Sequence, residues 1–187
     1  MESQCRSLGL HKSKRYPGAI VPYANLENVH PMSYGVLGAA VSHLRILADL
    51  EIPLPLLILE DDALATADYR NQIEIPDDTD AVYLGVSVGN PNTIIEKECE
   101  GFVRVRNMLS AHAILYLNDS IRKAMEQVIY ELTFYHKKPF DLGMGFIQNK
   151  YKVLAPYKPF FIQSDLRESK NKWQKYTDVD LRNFLRN

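Results

Sequence analysis

The stretch Leu54 to Asp62, Leu-Pro-Leu-Leu-Ile-Leu-Glu-Asp-Asp, constrains this chain more than any other, because a branched apolar run halts at three consecutive carboxylates. A run this short, with Pro53 and Pro55 on one side and charge on the other, reads as a buried strand of a covered sheet whose end faces solvent. In open α/β sheets ligands gather at the carboxyl ends of strands, so an acidic cluster there suits a hard divalent cation such as Mg²⁺ or Mn²⁺. Alternate residues of extended backbone share a face, which would let Glu60 and Asp62 converge on one ion beside Asp61. The competing explanation is that Asp61 and Asp62 cap a helix over Ala63 to Tyr69. Metal binding ranks ahead of capping.

At 187 residues, 46% hydrophobic and 24% charged, the chain suits one globular domain with a proper core. A formal net charge of -1 argues against a dedicated nucleic-acid binder, which normally carries a basic excess. Cys5 and Cys99 are far apart and neither has a partner at metal-ligand spacing, so no zinc site or disulfide framework is expected. With no apolar signal core at the start and no run of spanning length, the expectation is a soluble protein of the reducing cytoplasm, with no transmembrane segment.

Residues 1 to about 32 show no clear period, and their basic group, Lys12, Lys14 and Arg15, reads as a solvated charge run; only Ala19 to Tyr23 suggests a strand. Ser33 then caps an amphipathic helix to about Leu50, in which Val36, Leu37, Ala40, Val41, Leu44 and Leu47 fall on one stripe and His43 lies near it. On pattern alone His43 reads as a structural histidine before an active-site one. A helix from Ala63 to about Gln72 is expected after the acidic triplet, then a strand over Ala81 to Val86. The Gly85 to Asn90 stretch lacks the spacing of a phosphate loop. Phe102 to Arg106 and Ala111 to Leu117 read as strands that could pair through the turn between them, and Asn118 or Ser120 caps a helix carrying Ile121, Met125, Val128 and Ile129. Asp141 follows Pro139 at a short helix, where the plain reading is an N-cap. Short strands over Tyr151 to Ala155 and Pro159 to Gln163 precede a polar, amphipathic tail, residues 166–187, with Trp173, Tyr176 and Phe184.

Set in order, these motifs resemble glycosyltransferase family 25, the lipooligosaccharide galactosyltransferases and their relatives. The residues that carry the resemblance are Gly35-Val36-Leu37-Gly38-Ala39-Ala40-Val41-Ser42-His43-Leu44, then Leu57-Ile58-Leu59-Glu60-Asp61-Asp62-Ala63, with Tyr83-Leu84-Gly85 and Lys138-Pro139-Phe140-Asp141 further on. It covers roughly residues 33 to 165. At the front, family members carry an Asn-Leu-Asp-Arg-like strand well upstream of the Gly segment; Asn25-Leu26-Glu27 lies too close to Ser33 to hold that place, so a shortened N-terminus is expected.

The resemblance implies a GT-A-like α/β domain with a mixed, mostly parallel sheet flanked by helices, and transfer of a hexose such as galactose from a nucleotide sugar to a saccharide hydroxyl in surface-glycan or lipooligosaccharide synthesis. It places Mn²⁺ or Mg²⁺ on Glu60, Asp61 and Asp62, sets Ser42, Tyr83 and Gly85 against a UDP-sugar donor, and implies inversion at the sugar. Such chemistry needs the diphosphate's developing charge neutralised and the acceptor hydroxyl deprotonated. Asp141 is the first candidate for that base and His43 the second. A noncatalytic glycan-binding or assembly protein on the same fold is the alternative, and a metal-dependent phosphoryl-transfer enzyme or nuclease, lacking a basic groove, ranks last. Oligomeric state is left open.

Overall fold

The structure, a computed structural model, describes residues 2–19, 34–87, 90–163 and 179–185. The expected Ser33 cap, the Asn25-Leu26-Glu27 echo, all but Ala19 of the possible 19–23 strand, and Trp173 and Tyr176 of the tail lie outside those residues. Among the described residues no helix is long and apolar enough to cross a membrane.

Among the described residues eight strands and four α-helices follow in chain order: α1 (Glu2–Ser7), α2 (Tyr34–Ala48), β1 (Leu56–Leu59), β2 (Ala63–Ala65), β3 (Ala81–Tyr83), β4 (Ile94–Cys99), β5 (Phe102–Arg106), β6 (Ala113–Tyr116), α3 (Asp119–Tyr130), α4 (Phe140–Ile147), β7 (Val153–Pro156) and β8 (Phe161–Gln163). Six strands form one mixed sheet in the order β1-β6-β3-β7-β5-β4, and β2 pairs with β8 in a separate two-stranded ribbon. The α/β class with a mixed sheet and flanking helices is as expected, but the sheet is not mostly parallel. Only β3 and β7 pair in parallel; the other four pairings are antiparallel. A parallel pair needs a long crossover, and the crossover from β3 to β7 contains α3 and α4, whereas β4 and β5 join through a tight turn at Gly101. Because β1 and β3 both run opposite to β6, they share a direction, and their carboxyl ends reach the same sheet edge as the entrance to β6.

Three further expectations are corrected. The segment after the acidic triplet is strand β2 rather than a helix, since Ala63 to Ala65 pairs with Phe161 to Gln163 and a remote ribbon outweighs the local helix preference. β5 and β6 are not neighbours: β5 lies between β7 and β4, β6 between β1 and β3. The front of the chain is not wholly irregular, because residues 2–7 form α1, built from helix formers such as Glu2, Gln4 and Arg6.

Alternation across the strands gives the sheet two buried faces. Leu56, Ile58, Ala81, Tyr83, Ile114 and Tyr116 pack with Ala40 and Leu47 of α2, Ile121, Met125 and Ile129 of α3, and Phe140 and Met144 of α4. Val82, Leu84, Ala113 and Leu154 face the other way onto Ala63, Phe160 and Phe161. Asn118 caps α3 by accepting from the Ile121 backbone N–H at 3.1 Å, as its sequence position predicts. The C-terminal end of α2 is finished by a side chain from α3. Arg122, 2% exposed, donates Nε to Leu47 O and Nη1 to Ile52 O at 2.8 Å each, and Nη2 to Asp49 O.

Candidate functional site

β1 ends where the apolar run ends, and the backbone then turns sharply. The Ala63 N–H donates to Glu60 O at 3.1 Å, which puts Asp61 and Asp62 at the two corners of a tight turn. Glu60 and Asp62 therefore do not share a face through extended backbone, as alternation predicts, because the strand has already stopped. Asp61 is exposed, whereas Asp62 is half-buried and accepts from Gln163 Nε2 of β8 at 3.4 Å. Among the described residues no three His, Cys, Asp or Glu side chains group as a ready-made metal cage.

Glu60 instead points back under the helices. Its Oε1 lies 3.2 Å from Nε2 of His43, which α2 presents 3% exposed. The other ring nitrogen, Nδ1, is buried and has no hydrogen-bond partner among the described residues. The His43 ring leans on Phe140, centroids 5.2 Å apart at 42°, so α2 and the first turn of α4 meet over Glu60. Asp141 follows in that turn. It is not the N-cap, a place held by Pro139; its Oδ1 accepts from the Leu142 N–H at 2.9 Å. Burial pushes the Asp141 carboxyl above the ordinary aspartate range and the charge of Glu60 adds to the rise, against the opposing pull of the Leu142 and Asp141 backbone N–H groups.

The floor is made by strands. Tyr83 of β3 and Tyr116 of β6 are fully buried, and among the described residues neither hydroxyl makes a hydrogen bond of good geometry. Gln148 lies beside Tyr83, but its amide is committed to Met108, accepting from the Met108 N–H at 2.8 Å and donating to its carbonyl at 2.9 Å. Burial raises both phenols, with Asp141 adding to the effect on Tyr83 and Glu60 to that on Tyr116. The entrance to β6 contributes His112, whose carbonyl accepts from the Glu60 N–H at 2.9 Å and whose ring burial pushes below the usual histidine range, against the opposing pull of the Glu60 charge and the Phe161 backbone. His112 Nδ1 contacts Ser110 Oγ at 3.1 Å, and that hydroxyl reaches Gly85 O at 3.0 Å.

Of the residues singled out from sequence, the fold gathers His43, Glu60, Tyr83 and Asp141 around one point, with Asp61 and Asp62 on the adjoining turn. Ser42 and Gly85 have other work. Ser42 Oγ donates to Gly38 O at 2.8 Å and accepts from the Ala19 N–H at 2.9 Å, while the bare α-carbon of Gly38 lets the Ala19 carbonyl close on α2: a Cβ there would stand 2.8 Å from it. Gly85 is glycine because the His112 ring rests on it, 2.1 Å from where a Cβ would lie. His112, Ser110 and Tyr116 were not singled out; the available signal was a histidine at the mouth of an apolar strand, in Ser110-Ala111-His112-Ala113.

Comparison of the chain with family models, curated proteins and solved structures gives no significant match.

Proposed function

We propose that this protein is a GT-A-like glycosyltransferase that moves a hexose from a UDP-sugar to a saccharide hydroxyl with inversion, in the manner of the family its motifs resemble. The observation that supports this reading most is the meeting of Asp141, Glu60 and His43 at the carboxyl end of β1. There a carboxyl group with heightened proton affinity stands beside an oriented Glu-His pair, over a floor of two buried phenols.

Asp141 takes the proton of the attacking acceptor hydroxyl. Its raised proton affinity strengthens it as a base, and because it keeps some exposure a substrate can reach it. His43 is a positioning residue that fixes the Glu60 carboxylate. Inversion requires the hydroxyl to attack opposite the departing diphosphate, so the base belongs on the acceptor side. The donor set suits a cation held by one or two carboxylates and completed by water and substrate phosphate, as hard divalent ions commonly are. Asp61 and Asp62 would hold it, and bound Mn²⁺ or Mg²⁺ would supply charge neutralisation for the diphosphate.

The test is a transfer assay with a panel of UDP-hexoses and saccharide acceptors, with Mn²⁺ or Mg²⁺ and then with chelator, on the native chain and Asp141→Asn. Metal-dependent transfer that falls about 10²–10⁴-fold in Asp141→Asn is expected. The same variant should be more stable than the native protein at neutral pH. A carboxyl whose folded pKa is raised holds its proton more tightly in the native state, so its cost to stability grows as pH climbs through the window above the ordinary aspartate range and is absent below it. Asparagine removes that cost, so the gain should vanish in acid. Nucleotide-sugar binding without transfer under any condition would favour the glycan-binding reading.

A further inference from the structure

A concavity lies away from the Glu60 cluster. The cleft, of about 470 Å³, is lined on one wall by Arg6, Ser7, Leu8, Gly9 and His11 and on the other by Tyr69, Arg70 and Asn71. We propose that this cleft binds a phosphomonoester of a small polyhydroxylated molecule, with Arg6 and Arg70 gripping the phosphate.

The charge of the lining is one-sided: two arginines and no carboxylate, with His11 as a further imidazole donor or acceptor. Neither Arg6 nor Arg70 forms an ion pair among the described residues, and the nearby Asp68 is engaged by Lys158 at 3.5 Å. Arg70 donates Nη1 to its own neighbour's carbonyl, Tyr69 O, at 2.9 Å. That single bond steadies the guanidinium and leaves most of its five N–H donors for an anion, which a guanidinium fork binds in two-pronged fashion. The C-terminal end of α1 would repel an anion if its carbonyls were bare. They are not: Gln4 O, Cys5 O and Arg6 O accept from the Leu8, Leu10 and Gly9 N–H groups, and Leu8 O accepts from Tyr69 Oη at 2.9 Å.

That last bond also ties the two walls together. The Tyr69 ring meets Phe160 and Phe161 edge-on, with centroids 6.1 and 5.6 Å away, so the cleft is built on the β2–β8 side of the core rather than on a loose end. The space exceeds what a phosphate alone fills and lies in the range of small-molecule sites. Ser7 Oγ, which spends its hydrogen on Gln4 O at 2.8 Å, keeps lone pairs for a ligand hydroxyl, and the Asn71 amide can both donate and accept.

The experiment is calorimetric titration with a hexose phosphate, the same hexose unphosphorylated and inorganic phosphate, together with backbone amide NMR. A hexose phosphate is expected to perturb the amides of Ser7, Leu8, Gly9 and Asn71, to bind more weakly as salt is raised, and to lose about tenfold or more in affinity in the double variant Arg6→Ser/Arg70→Ser. Both side chains are exposed, so the double variant should keep the native unfolding midpoint. Equal affinity for inorganic phosphate would support the anion grip and assign the site to the phosphate group alone. Binding of the bare hexose as tightly as its phosphate, unchanged affinity in the double variant, or perturbation confined to other amides would each overturn the proposal.

Discussion

Arg122 and Arg106 show how differently two parts of this molecule use the same side chain. Under the helices, Arg122 is shut away from water and spends its donors on three backbone carbonyls that close α2, the helix that carries His43. On the β4–β5 hairpin at the other end of the sheet, Arg106 lies half-exposed on the diagonal from Glu96, with Nη2 3.1 Å from its carboxylate. The helical side concentrates buried polar atoms, including His43 Nδ1, His112 Nε2 and the Tyr83 and Tyr116 hydroxyls. On the hairpin side the Glu96–Arg106 pair and the neighbouring Lys152 pairs with Asp78 and Glu98 keep their charged ends partly in water, although Arg104 Nε and Arg106 Nε are buried with no hydrogen-bond partner among the described residues. Polar groups cost most where they are driest, so the helical side should be the more fragile of the two.

If that contrast is right, Arg122→Ala should be the most damaging change of the three considered. It strands carbonyls at Leu47 and Ile52, whereas Asp49 O keeps the Ile52 N–H at 3.1 Å; each unsatisfied group costs about 1–3 kcal/mol, so a loss of about 2 kcal/mol or more in urea denaturation is expected. A loss under about 1 kcal/mol would mean that water replaces the guanidinium and that the end of α2 is not dry.

A smaller but more specific effect is expected at Gly85. Alanine there drives a methyl group into the buried His112 ring, and overpacking of this kind costs about 1–3 kcal/mol. Combining Gly85→Ala with His112→Ala should restore part of that loss, a coupling of about 1 kcal/mol measurable in a double-mutant cycle. Strict additivity would show that the two residues do not bear on one another, and the account of Gly85 would fail.

How far the sequence reveals this arrangement follows from what periodicity can encode. The face and extent of α2, the Asn118 cap of α3, and the abrupt end of β1 at Glu60 are legible because each depends on neighbours within a turn or two. Strand partners are not. Ala63 to Ala65 becomes strand only because Phe161 to Gln163 lies alongside, and β4, whose Ile94-Ile95-Glu96-Lys97 gave no expectation, is an edge strand with one neighbour. The site divides the same way. His43, Glu60 and Asp141 carry local motifs, whereas His112 and the pairing of Ser42 with the Ala19 backbone arise only when distant segments meet.

The smallest expected effect sharpens the comparison from the hairpin side. Glu96 and Arg106 meet diagonally across β4 and β5, Glu96 being paired with Arg104 and Ile94 with Arg106, and in a dry interior the loss of such an ion pair would be expensive. With side chains 45% and 30% exposed, however, water solvates each ion almost as well as its partner does, and holding two long side chains together consumes rotamer freedom. Glu96→Gln should therefore shift stability by no more than about 1 kcal/mol, and raising the salt should narrow even that difference. A loss approaching that of Arg122→Ala would show that the hairpin edge is dry, for instance because another surface covers it. The division between a fragile helical side and a tolerant hairpin would then have to be abandoned.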